Sequence, residues 1–276
     1  MIIVRNSNVS ANGSIGAIRG LLASRMMQTA AIRAVSLITI LIIWQVIGRS
    51  VDPVLFTTPV AVAKAAVTMI GSGELWTYLA PSLLVLAYGM ALACIIGIAA
   101  GLLLARYWMF DVAISPLLTF LYSIPTVALV PLIVMWVGFD TGAKVVILFL
   151  FAFFPVAINT YQGVRGVDSK LLEVGQAFRC SERQLWTNII LPAALPFIMT
   201  GLRLALGRGL IGMVLADLYT AISGIGYLIV RTANTYQIDR MFVPVVLLGF
   251  LGVSLTWLLR IIEARVAPWA ARKDND

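Results

Sequence analysis

Long apolar runs separated by short polar stretches dominate the chain: Ala30 to Ile47, Ser82 to Ala105, Val112 to Val137, Ala143 to Ile158, Ala193 to Ala216 and Met241 to Ile262. Each approaches or exceeds the roughly 17–25 residues that a bilayer-crossing helix needs. The runs are continuous and do not alternate with a period of two, which argues against the strands of a membrane barrel. Helices also satisfy their own backbone polar groups in hydrocarbon. The expected fold class is therefore all-α integral membrane with six transmembrane helices. Composition agrees: 61% of the 276 residues are hydrophobic and 12% are charged, against about 45–50% apolar and about 25% charged in soluble domains.

Interruptions inside and between the runs add detail. Pro116, Pro125 and Pro131 fall in the third run, where each removes a backbone donor and can kink or break the helix, as in a span that lines a pathway. Gly97 and Gly101 form a small-xxx-small pair that lets the second span approach another helix closely. Between the proline and glycine punctuation of the first interhelical loop, Val60 to Ile70 reads as a short amphipathic helix at the outer surface. Cys94 and Cys180 sit at different depths and are not a disulfide pair.

Charge sets the orientation. Thirteen of the twenty Lys and Arg residues, from Arg5, Arg19, Arg25 and Arg33 through Arg106, Arg165, Lys170, Arg179 and Arg183 to Arg260, Arg265, Arg272 and Lys273, fall on one side if both termini share it. Only Arg49, Lys64, Lys144, Arg231 and Arg240 fall opposite. By the positive-inside rule both termini and the Gly166 to Asn188 loop are cytoplasmic. Residues 1–33 form a cytoplasmic segment, 34–266 the six-helix domain with its loop at 166–192, and 267–276 a cytoplasmic tail. The first span is retained, because it is too long for a signal sequence and no small-residue cleavage site follows. The net charge of +8 is what topology and anionic lipid already require, and the basic residues form no aromatic-interleaved stripe for nucleic acid.

The longest polar interruption, Gly166 to Asn188, carries an amphipathic hairpin. Asp168 and Ser169 can cap a helix from Lys170 to about Phe178, with Leu171, Val174 and Phe178 on one face and Glu173 pointing away. Ser181 with Gln184 is a capping-box signature for a second short helix, whose apolar stripe is Leu185, Trp186, Ile189 and Ile190. Pro192 disfavours helix at Leu191, so this second helix is expected to end there, separate from the fifth span.

This arrangement resembles the cytoplasmic loop of ABC-importer permeases, whose motif reads Glu-Ala-Ala, three residues, Gly, nine residues, Ile-x-Leu-Pro. Glu173, Ile189, Leu191 and Pro192 match in register, whereas Val174 and Gly175 replace the alanines and Arg179 replaces the glycine. A glycine there supplies left-handed backbone, which costs another residue roughly 1–2 kcal/mol, so Arg179 either carries that strain or turns differently. Leu195-Pro196, Gly201 to Gly207 and Ser223-Gly224-Ile225-Gly226-Tyr227 are similar to the nitrate, sulfonate and taurine branch, over about Leu41 to Trp269. The resemblance implies a type I importer permease fold in a bacterial inner membrane. It also implies two cytoplasmic ATPase subunits that receive the loop, a second permease copy in an expected homodimer, and an external solute-binding protein. No cofactor or metal is expected on this chain. No Gly-Lys dipeptide occurs, so there is no phosphate-binding loop of the Gly-x-x-x-x-Gly-Lys type, and ATP and Mg are expected on the partner ATPase.

Three charges in the fifth span are candidates for the translocation path or its gate: Arg203, Arg208 and Asp217. An uncompensated charge at the bilayer centre costs about 2.5–3.5 kcal/mol, so Asp217 should face protein or water. The alternative to a path role is that both arginines snorkel to cytoplasmic water or lipid headgroups and Asp217 bonds a neighbouring helix. Arg208 facing a cavity would favour an anionic solute, and Asp217 would fix helix contacts or the gate. They lie roughly 13 Å apart along a straight helix and cannot pair directly. A secondary transporter of small organic anions is the alternative reading. It is disfavoured by the single clear buried acid. A membrane enzyme is disfavoured by the absence of histidine and of any carboxylate cluster.

Overall fold

A computed structural model describes the backbone of residues 11–269 and the side chains of residues 27–269, and within them every regular element is helical. Arg5, Arg272, Lys273 and the side chains of Arg19 and Arg25, assigned above to the cytoplasmic side, lie outside the described residues. The chain divides into two units, Met1–Ala63 and Lys64–Asp276.

In the first unit α1 (Ala11–Ser50) is one helix, so the segment expected to precede the first span is helical from Ala11 onward. Its Met27–Ser50 part is long and apolar enough to cross a membrane. Trp44 Nε1 donates to the Thr57 carbonyl at 2.9 Å, which ties the end of α1 to the turn after it. The amphipathic helix expected over Val60 to Ile70 is α2 (Pro59–Gly71). Thr58 Oγ1 caps it by accepting from Ala61 N, and its proline stands where no intrahelical N–H is needed.

The second unit is built around α6 (Thr141–Arg165), which packs most extensively on α3 (Glu74–Arg106) and α9 (Leu191–Thr220). Small residues explain the close approach. A Cβ on Gly101 would fall 2.6 Å from the Ala157 carbonyl oxygen, and one on Gly97 2.9 Å from Val156 Cβ. The core lies between these three helices, with Val85, Leu86 and Ala93 meeting Leu148, Ala152, Val156, Ala205 and Met213.

The third apolar run is two helices, α4 (Trp108–Ser123) and α5 (Thr126–Val137), bent by 95°. Of its three prolines only Pro125 breaks the chain: Ile124 before it is extended at φ −71°, ψ 129°, the conformation that a following proline imposes. Pro116 and Pro131 stay inside their helices. Among the described residues five helices are long and apolar enough to span, or six with the bent pair counted as one. The last of them along the chain is α11 (Ile238–Val266), reached through the short α10 (Ile225–Asn234).

The expected separation at Pro192 is corrected. Helix α8 (Glu182–Leu185), a π-helical turn (Trp186–Ile190) and α9 follow one another without a break, as a 39-residue helical stretch from Glu182 to Thr220. Leu191 N donates to the Trp186 carbonyl, five residues back. The widened turn makes room for a proline that supplies no N–H of its own, so a local π-bulge replaces the predicted helix end.

Candidate functional site

The loop between α6 and α9 folds as the expected hairpin. Helix α7 (Ser169–Ala177) is capped by Asp168, whose side chain accepts from Lys170 N at 2.9 Å. Ser181 and Gln184 form a reciprocal capping box at the start of α8. Arg179 adopts the left-handed conformation at φ 51°, so it carries the strain that glycine would avoid. Its N–H bonds the Gln176 carbonyl and the next N–H, of Cys180, returns to Gly175. Gly175 is buried between the limbs, where a Cβ would lie 2.5 Å from Leu185 Cδ2 and 2.8 Å from Ile189 Cδ1. Ile189 lies in the π-turn, and Leu191 and Pro192 open α9. Glu173 and Val174 are exposed on α7.

The apolar face of α7 points away from the protein. Leu171 is 48% exposed, Val174 54% and Phe178 80%. Besides running on into α9, the second limb meets Arg106 at the end of α3, a residue counted above only among the cytoplasmic-side cations. Its guanidinium pairs with Glu182 at 2.6 Å and lies 5.3 Å from the centre of the Trp186 ring. Nearby, Asp111 of α4 pairs with Arg165 of α6 at 3.0 Å and accepts from Ser115 and Tyr161, both at 2.7 Å. The hairpin is thus a braced projection with an uncovered greasy edge.

The three candidate path residues have different surroundings and do not converge. Arg203 pairs with Glu263 of α11, and its buried Nε has no hydrogen-bond partner. Arg208 is exposed, its guanidinium 4.8 Å from the centre of the Tyr122 ring, one turn or less before the α4–α5 break. Tyr122 also lines a cavity of about 280 Å³ with Ser115, Thr119, Tyr161 and Gln162. Asp217 is completely buried at the end of α9 remote from the hairpin.

Asp217 is paired there with Lys144, which was counted among the five cations on the side opposite the termini but is buried in the first turn of α6 at 3% exposure. Lys144 Nζ donates to Asp217 Oδ1 at 2.8 Å, to the Ser223 carbonyl at 2.6 Å and to Ser223 Oγ at 3.1 Å. Asp217 Oδ2 accepts from Ser82 Oγ at 2.5 Å and from Gly226 N at 3.4 Å, and Ser82 Oγ accepts from Ile225 N at 2.8 Å. A signal was available: a lone cation at the start of one span and a lone acid at the end of the neighbouring antiparallel span lie at similar depth.

Residues 93–268, more than half of the chain, match the family of binding-protein-dependent transport system inner membrane components. The chain belongs to that family. It is a multi-pass membrane permease component of an ABC transport system, which works with ATPase and solute-binding partners. The permease is 36% identical over 232 residues to the putative aliphatic sulfonates transport permease protein SsuC of Bacillus subtilis, with 83% of this chain and 84% of the relative covered. It is 28% identical over 235 residues to the formylaminopyrimidine transport permease protein ThiX of Halalkalibacterium halodurans, with 85% and 94% covered. Its fold resembles a chain of the MetNI methionine ABC transporter in an inward-facing crystal form, with a TM-score of 0.52 at 19% identity, covering 70% of this chain and 94% of that one. The type I importer permease fold follows from these matches.

Proposed function

We propose that the permease forms the path for a small anionic solute in an ATP-driven importer, and that the α7–α8 hairpin receives the ATPase. The observation that carries this reading is the exposed Leu171, Val174 and Phe178 edge on a hairpin braced by Arg106. A projection in water gains nothing from an 80% exposed phenylalanine unless a partner covers it. In this reading two ATPase subunits hold ATP and Mg, two copies of the permease form a homodimer, and a solute-binding protein delivers the solute from outside. Both termini and the hairpin are cytoplasmic, in keeping with the distribution of Lys and Arg.

Arg208 supports an anionic solute, because its guanidinium has a ring beneath it but no carboxylate partner within the described residues. The relative named for aliphatic sulfonates fits this, and the relative named for a formylaminopyrimidine adds a heterocycle to be screened. Photocrosslinkers at Glu173 and Phe178 in native vesicles test the docking: capture of an ATPase is expected from both, and capture of none rejects it. A binding screen of the cognate solute-binding protein against sulfonates, nitrate and pyrimidines tests the solute class.

A further inference from the structure

We infer that Lys144 is a positioning residue for transport: it fastens the far end of α9 to α6 and the approach to α10, and through Asp217 and Ser82 to α3, so that movement of the hairpin reaches all four together. The inference rests on the hairpin being the driven element, as proposed above. The hairpin's second limb continues into α9 as one helical stretch from Glu182 to Thr220, so a displacement at Glu182 is carried about 50 Å to Asp217. At that point the helix is not free. Lys144 Nζ has three donors and uses all of them, on Asp217 Oδ1, the Ser223 carbonyl and Ser223 Oγ. The other oxygen of Asp217 and the Ser82 hydroxyl take the first N–H groups of α10, from Gly226 and Ile225.

The turn that follows α9 is shaped to enter this clasp. Ala221 is left-handed at φ 51° and Gly224 lies at φ 101°. A Cβ on Gly224 would overlap the Asp217 carboxylate, and one on Gly226 would meet the Val214 carbonyl and Asp217 Cβ. The Ser223-Gly224-Ile225-Gly226 sequence therefore reads as the fitting for a buried carboxylate. A buried ion pair adds little stability over an apolar pair of the same volume, and what it defines is one geometry, since any sliding of α9 against α6 would strand two charges in a dry site. A clasp that tolerates one arrangement transmits motion, whereas a greasy contact can slip.

Two measurements on the full complex test this. Spin labels at Val146 of α6 and Ile222 of the turn, with Cys94 and Cys180 replaced, should report a separation that changes by no more than about 1–2 Å between nucleotide-free and ATP-trapped complexes, the scale of side-chain and helix adjustment. A change near the roughly 5 Å of a one-turn slip overturns the inference. The double variant Lys144→Met with Asp217→Leu removes both charges and strands neither. Its solute taken up per ATP hydrolysed should fall about ten-fold, a typical coupling between sites, whereas the single variant Lys144→Arg, with Asp217 kept as its partner, should retain part of the ratio. An unchanged ratio overturns the inference. If the double variant fails to assemble, the label separation decides alone. Loss of ATP-driven uptake in the unaltered complex would remove the import reading together with the clasp, whereas normal uptake with a mobile 146–222 separation removes the clasp only.

Discussion

Phe178 separates docking from folding. It is 80% exposed, so it contributes little to the permease's own stability, and Phe178→Ala should change that stability by no more than about 0.5 kcal/mol, as at other surface sites. If an ATPase groove covers the ring, the same substitution forfeits most of the burial of a phenylalanine, about 1.5–3 kcal/mol. At 1.4 kcal/mol per factor of ten, that is a roughly 10- to 150-fold rise in Kd for the purified ATPase on permease in nanodiscs. Gln176→Ala, on the same helix but outside the apolar edge, should bind as the unaltered protein does. Titration of the three proteins with parallel melting curves provides the comparison. Equal affinity of Phe178→Ala and the unaltered permease, within two-fold, refutes the assignment of α7 as the docking edge.

Gly101→Ala should lower the unfolding free energy by about 1–3 kcal/mol by overpacking α3 on the α6 backbone. Gly249→Ala, which meets nothing within 4 Å, should be neutral or gain up to about 1 kcal/mol; thermal unfolding in detergent reads both. Arg179→Gly relieves the left-handed residue at φ 51° and should slow amide exchange of the hairpin roughly 2- to 5-fold, with the glycine's greater freedom when unfolded offsetting part of the gain. Arg208→Gln at equal expression should lose most anionic uptake, with Arg208→Lys intermediate; full uptake by Arg208→Gln excludes a path role.

The elements were legible where the signal is local. Apolar run length gave the spans, and Asp168, Ser181 and Gln184 gave the hairpin its caps because capping acts within a single turn. Pro192 misled because a proline rule treats the preceding turn as α-helical, and a π-turn evades it. The three prolines of the third run looked alike in sequence. Only Pro125, whose predecessor Ile124 is extended, breaks the chain there. Lys144 was hidden for a different reason: next to a loop it reads as an exposed topology charge, and only its pairing with Asp217, 73 positions later, makes it a core residue. Arg106 likewise gained its partner Glu182 only through the tertiary fold.

Uptake into proteoliposomes holding the permease, with its ATPase and binding protein added or withheld, tests the ATP-driven path most directly. Accumulation should require ATP and all three components, and should be absent under a proton or sodium gradient alone. Gradient-driven accumulation by the permease by itself would establish a secondary transporter and end the assignment of the hairpin as the driven element.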